Sequence, residues 1–178
     1  MKFNNKLKAV IMLSISVWGI FFIRNMVLEF SYPTKYKEYV YKYSNEYGID
    51  PMLVFSIIRE ESKFFPYARS KKDAKGLMQI SNITEDWAFK ELNIENSNIY
   101  DPKTNIQIGT WYLSKLLKEF KNEDFAIIAY NCGSGNLKSW MNKNYVVKDK
   151  EYKIPYIETK FYLKKVKKSY EKYKKLYE

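Results

Sequence analysis

The sequence predicts a mostly α-helical protein. Apolar residues recur at helical spacing over most of the chain beyond residue 30, and no segment shows the convincing alternation of a half-buried strand. Helix start and stop signals bracket these segments, with proline or a capping side chain in front and glycine behind. At 178 residues, the chain is expected to form one domain plus an appendage.

The appendage is the N-terminal segment. Three early lysines precede an apolar run from Ala9 to Ile23, and Arg24 closes this run. A basic region ahead of an apolar one is typical of an export signal, and no small-x-small cleavage site follows it. The run is short for a membrane span of about 20 residues, but Lys8 and Arg24 can extend to the two interfaces. We therefore expect residues 1–30 to be an uncleaved single-pass anchor in the cell membrane, with residues 31–178 outside the cytoplasm. Cleavage and secretion are the alternative.

The first half of the remaining chain contains two helices and a loop. Pro33 lies near the start of the first helix and Gly48 just past its end. Asp50 and Pro51 form an N-cap and a first-turn proline that open the second helix. The polar stretch "ARSKKDAKG" (68–76) is typical of a loop.

Further capping signals divide the second half. Thr84 is predicted to cap one helix, and Asp101 with Pro102 opens a long helix through about Phe120. A short apolar helix then ends at Gly133. A basic helix runs from about Tyr156 to the C-terminus, and the intervening "NYVVKDKEYKI" (144–154) is compatible with a short extended piece.

One carboxylate of the adjacent pair Glu60 and Glu61 is predicted to face the core. Advancing about 100° per residue from Pro51 places Glu61 near the centre of an apolar stripe and Glu60 roughly a quarter-turn away, at its edge. The stripe consists of Leu53, Val54, Ile57 and Ile58. A carboxyl on that face would have a raised pKa and could act as a general acid near neutral pH. The alternative is that Glu61 lies beyond the last buried turn and is solvated.

The composition excludes several kinds of catalysis. The chain has no histidine and a single cysteine, Cys132, so histidine-based triads, intramolecular disulfides and thiolate metal clusters are ruled out. Any enzymatic chemistry has to come from Asp, Glu, Lys, Tyr or Ser, and no cofactor or metal is expected.

Three segments resemble the motifs of the soluble lytic transglycosylases, which are murein-cleaving enzymes with a goose-lysozyme-like fold. "EESKFFPYARSKKDAKGLMQI" (60–80) is similar to the E-S-x-F-N-P…S…G-A-x-G-L-M-Q signature of this family. "AYNCG" (129–133) resembles its A-Y-N-A-G motif, and "IPYIETKFYLKKV" (154–166) resembles its I-P-x-x-E-T-x-x-Y-V-x-x-V segment. The three occur in the family's order over nearly the whole chain beyond the anchor.

The resemblance implies the function and the site. Glu61 would be the catalytic acid, cleaving the β-1,4 bond between N-acetylmuramic acid and N-acetylglucosamine with formation of 1,6-anhydro ends during cell-wall remodelling. Ser62 would orient Glu61. Gly76 would let backbone approach the sugar, and Gln79 would hydrogen-bond it. The other residues expected to line or close the cleft are Leu77, Met78, Tyr130, Asn131, Glu158 and Tyr162.

Two positions depart from the family pattern. Phe65 stands where the family usually has Asn, and Asp73 stands where it usually has Gly. The second departure requires either a different backbone conformation or an aspartate in the left-handed region.

Charge suggests partners beyond the glycan strand. The net charge is +11, and residues 160–178 contribute eight lysines against two glutamates. This basic helix could contact anionic lipid or wall polymer, or could simply be a solvated face. We expect no nucleic-acid partner.

Two other functions stay open at this point. A lysozyme-type hydrolase would need a second carboxylate across the cleft, such as Asp73 or Asp86. A non-catalytic peptidoglycan-binding protein would not need Glu61.

Overall fold

The computed structural model describes residues 5–94, 97–146 and 152–178, with side chains from residue 8 onward. The chain divides into two compact units, Met1–Pro33 and Thr34–Glu178.

The first unit is one helix, α1 (Asn5–Ser31). It continues eight residues past the predicted apolar run because Met26, Val27, Leu28 and Phe30 prolong the apolar character. Its segment Lys8–Ser31 has 24 residues and a mean hydropathy of 1.8, which is long and apolar enough to cross a membrane. A signal sequence at the N-terminus would have the same properties.

Four helices form the first part of the second unit. They are α2 (Lys37–Tyr47), α3 (Pro51–Ser62), α4 (Asn82–Glu91) and α5 (Pro102–Phe120). The predicted aspartate caps are confirmed, since the Asp50 carboxylate accepts from Met52 N at 2.7 Å and the Asp101 carboxylate from Thr104 N at 2.9 Å. The predicted Thr84 cap is wrong: the cap is Ser81, whose hydroxyl accepts from the Thr84 backbone N–H.

Three helices complete the unit: α6 (Glu123–Cys132), α7 (Ser134–Asn142) and α8 (Ile157–Tyr177). The sequence reading missed α7 because Gly133 was taken only as a stop signal, whereas the chain turns there and starts a new helix. Leu137 and Trp140, three residues apart, are the buried side chains of α7. The possible extended piece over 144–154 falls largely on residues 147–151, which lie outside the described ranges.

The core forms around α5, which packs against α2, α4 and α6, while α8 packs against both α3 and α6. Ile106, Ile108 and Leu113 of α5 are fully buried. The mostly α-helical prediction is confirmed. This packing holds the C-terminal end of α3 beside α8.

The loop between α3 and α4 is held by local contacts. Isolated antiparallel bridges join Arg69 to Lys75 and Lys75 to Ile80. Asp73 adopts a left-handed φ of 62°, and its carboxylate accepts hydrogen bonds from Arg69 and Asn82. The aspartate that replaces the usual glycine therefore keeps the left-handed backbone and adds side-chain contacts that stabilise it.

Candidate active site

Glu61 lies at the end of α3, where the apolar stripe meets a groove. The stripe is buried as predicted, with exposures of 0–2% for its members. Glu61 itself is partly exposed, and its open side faces the groove. The stripe fixes the rotation of α3 and so points this carboxyl at the groove instead of at bulk solvent.

A tyrosine holds the Glu61 carboxyl. The Tyr162 hydroxyl on α8 donates to Glu61 Oε1 at 2.6 Å. Ser62 was expected to orient Glu61, and this expectation is corrected: its hydroxyl donates to the Ile58 carbonyl at 3.2 Å, within its own helix. The orienting group therefore comes from a residue 101 positions away in the chain.

The surroundings of Glu61 favour its neutral form. Burial raises its pKa, the hydrogen bond from Tyr162 opposes this rise, and the negative charges of Glu158 and Glu60 add to it, giving a pKa of about 7. The carboxyl can therefore both give and take a proton near neutral pH.

Glu60 has a different environment. Its side chain is only 4% exposed and accepts from Ser169 Oγ at 2.6 Å, from Lys63 Nζ at 2.9 Å and from Arg59. Burial alone would raise the pKa of Glu60, but these hydrogen bonds and positive charges outweigh it and hold the pKa below its ordinary value. Glu60 is therefore an enclosed, ionised carboxylate that ties α3 to α8.

The groove consists of three adjoining compartments with volumes of about 280, 320 and 550 Å³. Gln79 and Asn131 line all three, and Glu61 and Glu158 line two of them. The α3–α4 loop, the end of α6 and α8 contribute the lining side chains. Residues far apart in the sequence are thus brought together in one groove.

Polar side chains in the groove are fixed by hydrogen bonds. The Gln79 amide nitrogen donates to the Gly76 and Ala68 carbonyls at 3.0 and 3.2 Å. Thr159 Oγ1 donates to Asn131 Oδ1 at 2.7 Å, which leaves the Asn131 amide N–H groups as donors for a ligand. The Tyr130 ring lines the groove, while its hydroxyl donates to the Met78 carbonyl at 2.9 Å.

Three residues of the "GLMQ" motif, Gly76, Leu77 and Met78, are constrained by packing within the domain. Leu77 and Met78 are fully buried, so the expectation that their side chains line the cleft is corrected. Gly76 has φ +76°, and a Cβ there would lie 2.1 Å from Asn105 Nδ2. A close approach that requires glycine at this position is therefore the one to Asn105.

Asn105 is a site-building residue that the sequence reading missed. It is fully buried on α5, accepts from Met78 N at 2.7 Å, and donates to the Ile99 and Lys75 carbonyls at 2.8 and 3.0 Å. Two of these bonds, to Lys75 and Met78, fix the loop that carries Gln79, and the third ties it to the segment before α5. The sequence feature that could have identified Asn105 is its position next to Ile106, in the apolar stripe of α5.

Among the described residues that line the groove, the carboxylates are Glu60, Glu61 and Glu158. Glu158 has a 76% exposed side chain, 4.0 Å from Lys72 Nζ. Asp73, which was considered as a second carboxylate for hydrolysis, instead pairs with Arg69. Within the described ranges, no three His, Cys, Asp or Glu side chains are grouped so that they could hold a metal ion.

Residues 38–153 of this chain match the family named "Transglycosylase SLT domain". The chain belongs to this family. The match ends before α8. The evidence that Glu158 and Tyr162 of α8 line the groove therefore comes from the structure and not from the family match.

Named relatives share the SLT region. The chain is 33% identical over 147 residues to the soluble lytic murein transglycosylase of Escherichia coli K12, covering 78% of this chain and 23% of that protein. It is 39% identical over 113 residues to the membrane-bound lytic murein transglycosylase E of Buchnera aphidicola, covering 57% of this chain and 51% of that protein.

A solved structure shows the same fold. The crystal structure of the 70 kDa soluble lytic transglycosylase from Escherichia coli superimposes with a TM-score of 0.73 at 30% identity, covering 83% of this chain and 25% of that one. The chain thus spans about a quarter of the length of its soluble relatives. The lysozyme-like helical domain expected from the sequence is confirmed.

Proposed function

We propose that this protein is a peptidoglycan lytic transglycosylase that cleaves the β-1,4 bond between N-acetylmuramic acid and N-acetylglucosamine during cell-wall remodelling. The observation that carries the proposal is the Glu61 carboxyl, which has a pKa of about 7, receives a hydrogen bond from Tyr162 and opens into a groove. The names of the relatives point to the same substrate.

The chemistry needs one carboxyl group. Neutral Glu61 donates its proton to the glycosidic oxygen, and the C1–O bond breaks to leave an oxocarbenium-like muramic acid. The C6 hydroxyl of the same sugar then attacks C1 and gives its proton back to Glu61. The product is a 1,6-anhydro sugar, and no water is consumed. A second catalytic carboxylate is unnecessary because the nucleophile belongs to the substrate, unlike in most glycosidases.

The residues around Glu61 have supporting roles. Tyr162 orients the carboxyl and stabilises its ionised form after proton donation. Asn131 offers amide donors to the sugar, and Gln79 lines the same groove. These positions are suited to binding a glycan strand across Glu61.

Hydrolysis is the second candidate, and Glu158 favours it, because this exposed carboxylate lines the same compartments as Glu61. As a base, it would activate a water molecule. Mass spectrometry of digested peptidoglycan separates the two reactions, since transglycosylation leaves anhydro ends and hydrolysis leaves reducing ends.

The digest is run with three proteins: wild type, Glu61→Gln and a control, Glu38→Gln, whose exposed carboxylate lies in the first turn of α2. We expect anhydro ends from wild type and from the control, and none from Glu61→Gln. Reducing ends would contradict transglycosylation. Full cleavage by Glu61→Gln would contradict the role of Glu61. Binding of peptidoglycan without any cleavage by wild type would favour the non-catalytic alternative.

We also propose that α1 anchors the SLT domain at the outer face of the cell membrane as a single span. The support is the length and apolarity of Lys8–Ser31 and the absence of a small-x-small site after the apolar run. The full chain should stay with membranes after carbonate washing, and external protease should degrade the domain. Release of a shortened soluble domain would instead indicate cleavage.

A further inference from the structure

One face of α8 is covered with lysines. Its opposite face is buried in the domain through residues such as Tyr162, Val166 and Tyr173. At 100° per residue, the exposed lysines fall within an arc of about 140°. We call these the lysine face; they are Lys160, Lys164, Lys165, Lys168, Lys172 and Lys175.

The lysine face carries nearly uncompensated positive charge. Lys167 and Lys174 flank it, and they pair with Asp124 at 2.7 Å and with Asp50 at 3.9 Å. None of the six lysines of the face has an ion pair with another residue in the described part of the chain. Glu171 is the one carboxylate of α8 within the arc, and Glu178, which follows the last residue of the helix, lies 3.9 Å from Lys174 Nζ. The net charge of the face is therefore strongly positive.

The lysine face is continuous with the groove. Lys165 lines the same compartment as Glu61, together with Phe161. From Lys160 to Lys175 the helix rises about 22 Å. A ligand that contacts the whole face and also reaches the groove must be an extended chain with repeated negative charge.

We propose that the lysine face binds an anionic phosphodiester polymer attached to the wall glycan. Ammonium groups bind phosphate oxygens as point charges without demanding a fixed geometry, which suits a flexible polymer. A lipid bilayer fits less well, because a flat surface against this face would cover the groove wall at Lys165 and Phe161. Binding of the polymer would keep the SLT domain on its substrate between cleavage events.

The test is co-sedimentation with insoluble cell wall in nonionic micelles. The full chain carries Glu61→Gln so that the wall is not consumed. The first wall sample keeps its covalently attached phosphodiester polymer, and the second has been stripped of it with hydrofluoric acid. The lysine variant is Lys164→Gln/Lys168→Gln/Lys172→Gln. A matched control replaces three exposed lysines elsewhere on the domain: Lys90, Lys103 and Lys118.

We expect stripping to weaken binding at least tenfold, and the lysine variant to bind both samples with the lower affinity. The slope of log affinity against log salt should fall by about two in the lysine variant, because three phosphate contacts are lost. The control should behave as the parent chain.

Equal binding of the parent chain to both wall samples would overturn the proposal, as would equal losses in the lysine variant and the control. Binding to phosphatidylglycerol vesicles that is lost in the lysine variant, together with unchanged binding of that variant to intact wall, would assign the face to lipid and also overturn it. None of these outcomes affects the catalytic proposal, because the digest is run on chains in which all six lysines are present.

Discussion

Replacing Tyr162 with phenylalanine should move the pH range in which the protein cleaves peptidoglycan. The Tyr162 hydroxyl donates to Glu61 Oε1 at 2.6 Å and lowers the pKa of Glu61 by stabilising the carboxylate. A hydrogen bond to a charged group contributes about 1.5–3 kcal/mol. Since one pKa unit corresponds to about 1.4 kcal/mol, its loss should raise the pKa of Glu61 by roughly one to two units.

The assay is the pH dependence of kcat/KM on purified peptidoglycan, which reports the free enzyme. Proton donation requires neutral Glu61, so wild-type activity should fall as the pH rises through about 7. In Tyr162→Phe this alkaline limb should lie roughly one to two pH units higher, with a lower maximum because the carboxyl is less well oriented.

Tyr170→Phe is the matched control, because Tyr170 also lies on α8 but donates to Asp50, away from the groove. Its alkaline limb should coincide with that of wild type. An unchanged limb in Tyr162→Phe, or one shifted to lower pH, would show that the Tyr162 hydroxyl does not lower the pKa of Glu61.

Three further predictions concern stability, measured by urea denaturation in nonionic detergent. Glu61→Gln should stabilise the domain by about 3 kcal/mol above pH 8, because the pKa of Glu61 is about 7 in the folded protein against an ordinary 4.5, so that ionisation of Glu61 opposes folding. The gain should vanish below pH 4.5, where the carboxyl is neutral in both states. Stabilisation that is independent of pH would contradict this prediction. Gly76→Ala should lower the free energy of unfolding by about 1–3 kcal/mol, because residue 76 has a left-handed φ and the added Cβ would clash with Asn105. Gly135→Ala should not destabilise the domain, because a Cβ there would meet nothing within 4 Å. Equal effects of the two substitutions would show that the contact with Asn105 does not require glycine. Asn105→Ala should cost about 3 kcal/mol or more by leaving buried backbone groups unpaired, and a loss below 1 kcal/mol would show that water replaces the amide.

Local sequence rules predicted most of the helical framework. Asp50 and Asp101 cap helices as expected because an N-cap needs only a side chain and the backbone N–H groups two or three residues on. The direction of Glu61 also followed from a local property, the helical periodicity of α3. The short helix α7 was missed because a glycine that ends one helix can also precede the next.

The contacts within the site could not be predicted from local rules. Ser62 adjoins Glu61 in the sequence, but the helix turns its hydroxyl back to Ile58, and Tyr162 reaches the carboxyl only because α8 packs on α3. Glu60 is enclosed for the same reason, since Ser169 of α8 covers it. Side chains that meet through tertiary packing leave no fixed spacing in the sequence.

Titration of the Glu61 carboxyl itself shows whether this group can be the proton donor. Glutamate labelled with ¹³C at the carboxyl carbon can be followed by NMR from pH 4 to 9, and the Glu61 signal is assigned as the one missing from Glu61→Gln. We expect a midpoint near pH 7, the value set by burial, Tyr162 and the neighbouring carboxylates. A midpoint near the ordinary 4.5 would show that Glu61 is ionised when substrate binds, and would contradict its role as the proton donor.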